Sequence, residues 1–427
     1  MKIKVKKLSI EKVFKLPERK HKKPLKTGRL YRKLLKICSK KDLKETNFKC
    51  NKINMDRLKD KEPCLILMNH SSFIDLKIAS EILYPNPFNI VCTSDGFIGK
   101  EWLMRHLGCI PTNKFVTDAT LVRDIQYCLK NLKSSVLMYP EASYTFDGTP
   151  TTLPSVLGRL LKILKVPFVM IKTYGAFLRD PLYNNLQLRK VNVSADMEYV
   201  LSPEEIEQKS IEELNKIIQD KFTFDSFKWQ QDNKIEIDEP FRADYLNRVL
   251  YKCPHCQEEG KMEGKGTIIK CNNCGNSYEL TKEGYLKHTE NKGIFTHIPD
   301  WFKWERDCVK KEILEKTYLL DIDVEIYVMK NTKCIYDVGT GRLIHNNEGF
   351  KLIGCDGKIN YTQKPLISYS LYSDYYWYEL GDVICIGNNK ILYYCFPKNN
   401  IDVVAKTRLA TEELYKIYLE DAKSNDK

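Results

Sequence analysis

The chain has 427 residues, a length that predicts two to four domains, and its 43 % hydrophobic content can fill real cores and excludes a disordered chain. No apolar run approaches the roughly 18 residues that cross a bilayer, and no apolar core with a cleavage site follows the basic start, so any membrane contact is expected to be peripheral. The net charge of +13 is concentrated in residues 1–50, where 19 Lys and Arg face 4 Asp and Glu, so the partner of this segment is expected to be polyanionic.

Residues 1–50 read as a basic, partly amphipathic arm. Leu30, Tyr31, Leu34 and Leu35 share one helical face, and Arg29, Arg32, Lys33 and Lys36 occupy the others. A helix of this kind can lie in the interface of an anionic membrane. A solvated tail, a helix packed on the body, or nucleic acid as the polyanion are the competing readings.

Residues 51–250 read as an α/β domain with a helical extension. Short apolar runs at Cys64–Met68, Phe88–Thr93, Val136–Tyr139 and Phe168–Lys172 alternate with helical patterns such as Ala119–Leu132. That order predicts a largely parallel sheet. The run Lys190–Val200 is a further candidate strand.

Cys64–Met68 ends in Asn69-His70-Ser71-Ser72-Phe73-Ile74-Asp75. Such a strand-to-helix turn is where α/β proteins place their chemistry, with Ser71 or Ser72 as the expected N-cap. His70 offers a base near neutral pH, and Asp75 can orient it. Ser72-x-x-Asp75 also fits a capping box, in which the aspartate only stabilises the helix start.

Three further stretches follow in order. Gly108-Cys109-Ile110-Pro111-Thr112-Asn113-Lys114 comes after a helical segment. Tyr139-Pro140-Glu141-Ala142-Ser143-Tyr144 follows an apolar run, and Val166-Pro167-Phe168-Val169-Met170 opens the next one. Together with Asn69, His70 and Asp75 these resemble the four sequence blocks of the glycerolipid acyltransferases, the 1-acylglycerol-3-phosphate acyltransferase family. The resemblance implies His70 as general base with Asp75 as its partner. It implies Asn69, Lys114, Glu141 and Ser143 as acceptor-binding residues. The sequence departs from the family pattern at four places. Lys114 and Tyr144 stand where arginines are expected, Ala142 replaces a glycine, and Met170 replaces a proline.

Ser202-Pro203-Glu204-Glu205 is a strong helix start, with the helix expected to reach about Lys221. A Trp229-containing helix and an Arg242–Leu250 helix are expected next.

Fifteen cysteines, an odd number, argue for a reducing compartment rather than a disulfide framework. Cys253, Cys256, Cys271 and Cys274 form two Cys-x2-Cys pairs. This spacing suits one structural, tetrahedral zinc ion and resembles a zinc ribbon over residues 251–290, with Lys265–Lys270 as a hairpin strand and His255 as a bystander. Residues 291–427 read as a β-rich domain, closed by an amphipathic helix at about Thr407–Ala422 and similar in pattern to the pleckstrin-homology architecture.

The composite resembles bacterial members of the acyltransferase family that carry a zinc ribbon. It implies a cytoplasmic enzyme at the inner face of the membrane. The donor would be a coenzyme A or acyl-carrier-protein thioester, and the acceptor a lysophospholipid, by default 1-acylglycerol-3-phosphate. The alternatives are a nucleic-acid-binding zinc-ribbon protein and an inactive lipid-binding scaffold on the same fold.

Overall fold

A computed structural model describes residues 3–116, 118–290, 293–398 and 402–425. The chain divides into two compact units. One holds residues 20–180 and 188–226; the other holds 1–19, 181–187 and 227–427, so the basic first fifty residues are shared between them.

The chain begins with a short strand, β1 (Val5–Lys7), and a short helix, α1 (Ile10–Phe14). A longer helix, α2 (Arg29–Glu45), follows. The α/β unit is then built on seven strands: β2 (Lys49–Ile53), β3 (Leu65–Met68), β4 (Phe88–Thr93), β5 (Cys109–Thr112), β6 (Ser135–Met138), β7 (Phe168–Tyr174) and β8 (Ser194–Leu201). They lie in the order β2-β8-β7-β3-β6-β4-β5. Every neighbouring pair is parallel except β7 and β8.

Parallel strands buried on both faces need apolar side chains at successive positions. Alternate residues of β3 accordingly serve two cores. Ile66 and Met68 pack with Leu43 of α2 and with Ile78 and Leu83 of α3 (Asp75–Leu83). After the short α4 (Glu101–His106), α5 (Ala119–Lys130) and α6 (Leu157–Leu164) cover the other face, where Leu65 and Leu67 meet Ile125, Leu129 and Leu161.

One short helix, α7 (Ala176–Arg179), follows β7. The helix expected from Ser202 is two helices, α8 (Pro203–Gln208) and α9 (Ile211–Phe222). Lys209 is extended, and a second capping box, Ser210 with Glu213, restarts the chain. The Trp229 segment is helical as α10 (Ser226–Asp232).

No α-helix covers Arg242–Leu250, which holds turns and a single 3-10 turn at Leu246–Arg248. Its amide donors go elsewhere: Ala243 N bonds Gly266 O at 2.9 Å and Tyr245 N bonds Gly264 O at 3.0 Å. The acceptors belong to a hairpin of β9 (Met262–Lys265) and β10 (Ile268–Cys271), which turns at Gly266 with φ 67°. The expected Lys265–Lys270 strand is therefore the turn plus most of β10. Strands β11 (Ser277–Leu280) and β12 (Leu286–His288) complete this four-stranded antiparallel sheet.

A helix not expected from the sequence, α11 (Ile298–Leu314), begins with Pro299 in its first turn. Seven strands follow: β13 (Leu320–Met329), β14 (Ile335–Asn346), β15 (Gly349–Gly354), β16 (Ile359–Gln363), β17 (Tyr372–Trp377), β18 (Gly381–Gly387) and β19 (Leu392–Pro397). They are antiparallel in the order β16-β15-β14-β13-β19-β18-β17, and β1 joins β14 in parallel. The last element, α12 (Val404–Asn425), packs on α11. Arg306 of α11 pairs there with Glu412 at 2.7 Å and Glu413 at 2.9 Å.

Candidate active site

Because β3, β6 and β7 are adjacent and parallel, the loops that follow them emerge at one edge of the sheet. The β3 loop is anchored first through Asn69. Its Oδ1 accepts from Thr173 N of β7 at 2.8 Å, and its Nδ2 donates to Thr173 O at 3.3 Å and to Ser71 Oγ at 3.1 Å.

The expected N-cap is corrected. The helix begins at Asp75, with Ile74 in the cap position and no side-chain cap bond there. Asp75 instead reaches back. Its Oδ2 accepts from Ser71 N at 2.9 Å and Ser72 N at 3.1 Å, and lies 3.1 Å from Nδ1 of His70. One carboxylate oxygen thus shapes the loop and engages the imidazole. Ser72 is held from the other side, since its hydroxyl accepts from Ile74 N at 3.2 Å and donates to Asp180.

The β6 loop supplies the rest of the enclosure. The imidazole of His70 lies between two tyrosine rings, Tyr139 at 4.2 Å and Tyr144 at 4.0 Å between centroids. Phe73, about half exposed, stacks on Tyr144 at 5.1 Å. The buried hydroxyl of Tyr139 has no hydrogen-bond partner among the described residues, and burial pushes its proton affinity well up, with Asp75 adding to the effect.

Glu141 is buried, and its two oxygens accept from His70 N at 2.8 Å and Thr151 N at 2.9 Å. It braces the backbone that carries the histidine. Ala142, in the glycine position of the third block, is in the left-handed region at φ 55°. Ser143 is fully buried beside it in the chain.

Lys114 is half-buried in the turn after β5. In the sheet order β5 is three strands from β3, a displacement of about 14 Å. Asn69, His70, Asp75 and Glu141 therefore form one bonded cluster, with Ser143 in the same loop as Glu141. Lys114 belongs to the same sheet edge but to a distant strand.

Three participants were not among the site residues expected from the sequence, although Tyr144 stands there in a position where an arginine is expected. Tyr139 and Tyr144 lay in view in the third block, but only folding sets them on either side of His70. The third is Asp180, just after α7, which receives the Ser72 hydroxyl. Burial pushes its carboxyl up to about 6, against the pull of Ser72 and of Arg179, which lies 3.3 Å away.

In the other unit, the sulfurs of Cys253, Cys256, Cys271 and Cys274 all lie within 4.8 Å of one another. This group could hold a metal ion. The ring of His255 is engaged by the Tyr278 hydroxyl at 2.8 Å.

Residues 49–170 match the family model described as Acyltransferase. No match is found among curated proteins. Among solved structures, the chain is similar to the crystal structure of the 1-acyl-sn-glycerophosphate (LPA) acyltransferase PlsC from Thermotoga maritima. That similarity has 14 % identity and a TM-score of 0.37, and covers 45 % of this chain and 76 % of that one. The segment that holds His70, Asp75 and Glu141 thus lies within the part of this chain, residues 49–170, that matches the Acyltransferase family model.

Proposed function

We propose that this protein transfers a fatty acyl chain from a thioester donor to the free hydroxyl of a lysophospholipid, with 1-acylglycerol-3-phosphate as the default acceptor and phosphatidic acid as product. The observation that carries the reading is the pairing of His70 Nδ1 with Asp75 Oδ2 at 3.1 Å, inside an acyltransferase-family segment.

With Nδ1 turned to the carboxylate, Nε2 is the nitrogen available to substrate. It accepts the proton of the acceptor hydroxyl as the oxygen attacks the thioester carbonyl. The imidazolium is stabilised by Asp75, as in the histidine–aspartate half of a hydrolase triad. Collapse of the tetrahedral intermediate breaks the C–S bond, and His70 returns the proton to the departing thiolate. No covalent acyl-enzyme is needed. The exposed ring of Phe73 beside this base gives the site an apolar rim, which favours a lipid acceptor over a soluble one.

Among the described residues no helix is long and apolar enough to cross a membrane. We propose peripheral contact with an anionic membrane through α2, where Leu30, Leu34 and Ile37 are exposed among lysines. Trp102, 65 % exposed, extends this surface, its ring 6.4 Å from that of Tyr31.

For the cysteine cluster the metal we propose is zinc. Four thiolates about 2.3 Å from a tetrahedral ion stand about 3.8 Å apart. The Cys253–Cys274 and Cys256–Cys271 sulfurs are separated by 3.6 and 3.7 Å. With four protein ligands such an ion would staple residues 251–290 and would have no open position for catalysis.

The test offers acyl-coenzyme A and acyl-carrier-protein thioesters with a panel of lysophospholipids to the wild type, His70→Ala and Asp75→Asn. Transfer by the wild type should drop by about 10²–10⁴-fold in His70→Ala, and by a large factor in Asp75→Asn. Absence of transfer in the wild type with every donor, or equal transfer by His70→Ala, would overturn the reading.

A further inference from the structure

The strands of the α/β sheet have a second edge, where β3, β4 and β6 begin. His70 lies at the opposite end of β3, about 13 Å away along four residues. At this second edge opens a cleft of about 800 Å³, lined from the first turns of α2, the 52–63 segment, the end of α3 and the strand starts at Cys64, Phe88 and Ser135. Its volume falls in the range of about 300–1,000 Å³ typical of small-ligand sites.

The lining is divided by chemistry. Met55, Ile82, Phe88 and Met197 give it an apolar floor. Around them stand seven lysines and arginines against two carboxylates, Asp60 and Glu62. Lys61 pairs with Asp60 at 3.1 Å. By contrast Lys26, Arg29, Arg32 and Lys133 have side chains in no hydrogen bond or ion pair among the described residues.

Helix α2 makes the imbalance greater. Its first turn has no acidic residue and its Gly28 N-cap offers no side-chain acceptor. Arg29 and Arg32 are therefore added to the positive end of the helix dipole, where cations are unfavourable. Burial and the neighbouring Arg29 both lower the proton affinity of Arg32. The fold has concentrated positive charge over an apolar floor, and among the described residues no carboxylate pairs with Lys26, Arg29, Arg32 or Lys133.

We propose that this cleft is a second ligand site, distinct from the one around His70, which takes a single-chain anionic amphiphile. The head, a phosphate monoester or carboxylate, lies on Arg29, Arg32, Lys26 and Lys133, and the alkyl chain on Phe88, Ile82 and Met197. Acyl transfer is not assumed, so the two readings stand or fall separately.

The test uses the full chain and dodecyl phosphate below its critical micelle concentration, with binding followed by titration calorimetry. Laurate, inorganic phosphate and zwitterionic dodecylphosphocholine are the comparison probes. Dodecyl phosphate should bind, and Arg29→Glu/Arg32→Glu, surface changes whose fold is checked by melting, should weaken it at least tenfold. Met197→Trp, which fills the floor, should weaken it similarly, while His70→Ala and Trp102→Ala should not. The ratio between dodecyl phosphate and laurate assigns the head group. Equal binding by the double charge variant overturns the proposal, as does inorganic phosphate or dodecylphosphocholine binding as tightly as dodecyl phosphate.

Discussion

The imidazole of His70 is fixed by three kinds of contact at once: a carboxylate on Nδ1, aromatic rings on both faces and a buried glutamate on its backbone amide. Asp180, which accepts from the Ser72 hydroxyl of the same loop, couples that loop to pH. Burial pushes its folded-state carboxyl up to about 6, above the ordinary aspartate value near 3.9 in an unfolded chain. Between about pH 4 and 6 the folded state holds more protons than the unfolded one, so stability falls as pH rises through that window and is level above it. A shift of about two units corresponds to about 3 kcal/mol. Asp180→Asn should remove this fall, so in urea titrations the stability at pH 4 relative to pH 7 should be about 2 kcal/mol lower in the variant than in the wild type; an unchanged difference would refute the assignment. Ala142 permits a second test at this scale. Its φ of 55° costs an L-residue about 1–2 kcal/mol, and glycine gives back about 0.4–1 kcal/mol in unfolded-chain entropy. Ala142→Gly should therefore gain about 0.5 kcal/mol in denaturant titration, and a loss would show that the methyl group packs usefully.

At the scale of elements, the α/β unit depends on how helices start and how closely they approach. The two capping boxes, Ser202 with Glu205 and Ser210 with Glu213, let the chain turn sharply at Lys209 and continue as a second helix. Ser210→Ala should cost about 1 kcal/mol, measured by chemical denaturation, because Glu213 N loses its acceptor at the start of α9. Helix α9 matters because it lies against α6 at Gly158, where an added Cβ would stand 2.6 Å from Ile211 O. The sequence showed the first box plainly. The second was equally local, as Ser-x-x-Glu, but the helical pattern ran through it and hid the break. The 242–250 segment failed for a different reason. Its apolar spacing is helical, but its amide hydrogens are claimed by a hairpin some twenty residues later in the chain, a competition no local pattern displays.

Over the whole molecule, the two units draw stability from different sources. The α/β unit has cores on both faces of a parallel sheet. The 251–290 segment has one small four-stranded sheet, and a module of this size ordinarily needs a staple. Under the zinc proposal, Cys253→Ser should lower bound zinc below one equivalent and shift melting to lower temperature, and a chelator should do the same to the wild type. Zinc retained at full stoichiometry in the variant would count against four-cysteine ligation. Beyond this segment the Arg306–Glu412–Glu413 cluster joins α11 to α12. The strand at Val5–Lys7 is recruited to β14, although more than three hundred residues separate them.

By itself the sequence determined what is written in neighbouring residues: the alternation of strands and helices over 51–200, the pairing of His70 with Asp75 across one turn, and the two cysteine knuckles. These are short-range patterns, set by strand and helix periods and by ligand spacing. Only the tertiary structure decided which strands are neighbours, and with that which loops meet at His70. Glu141 reaches its amide across 71 positions, and Asp180 reaches Ser72 across 108. The tyrosines around the imidazole and the cations over the second cleft likewise acquire their setting only when separate strands are brought side by side. Their roles depend on burial and on partners, and neither is a property of the residue's place in the chain.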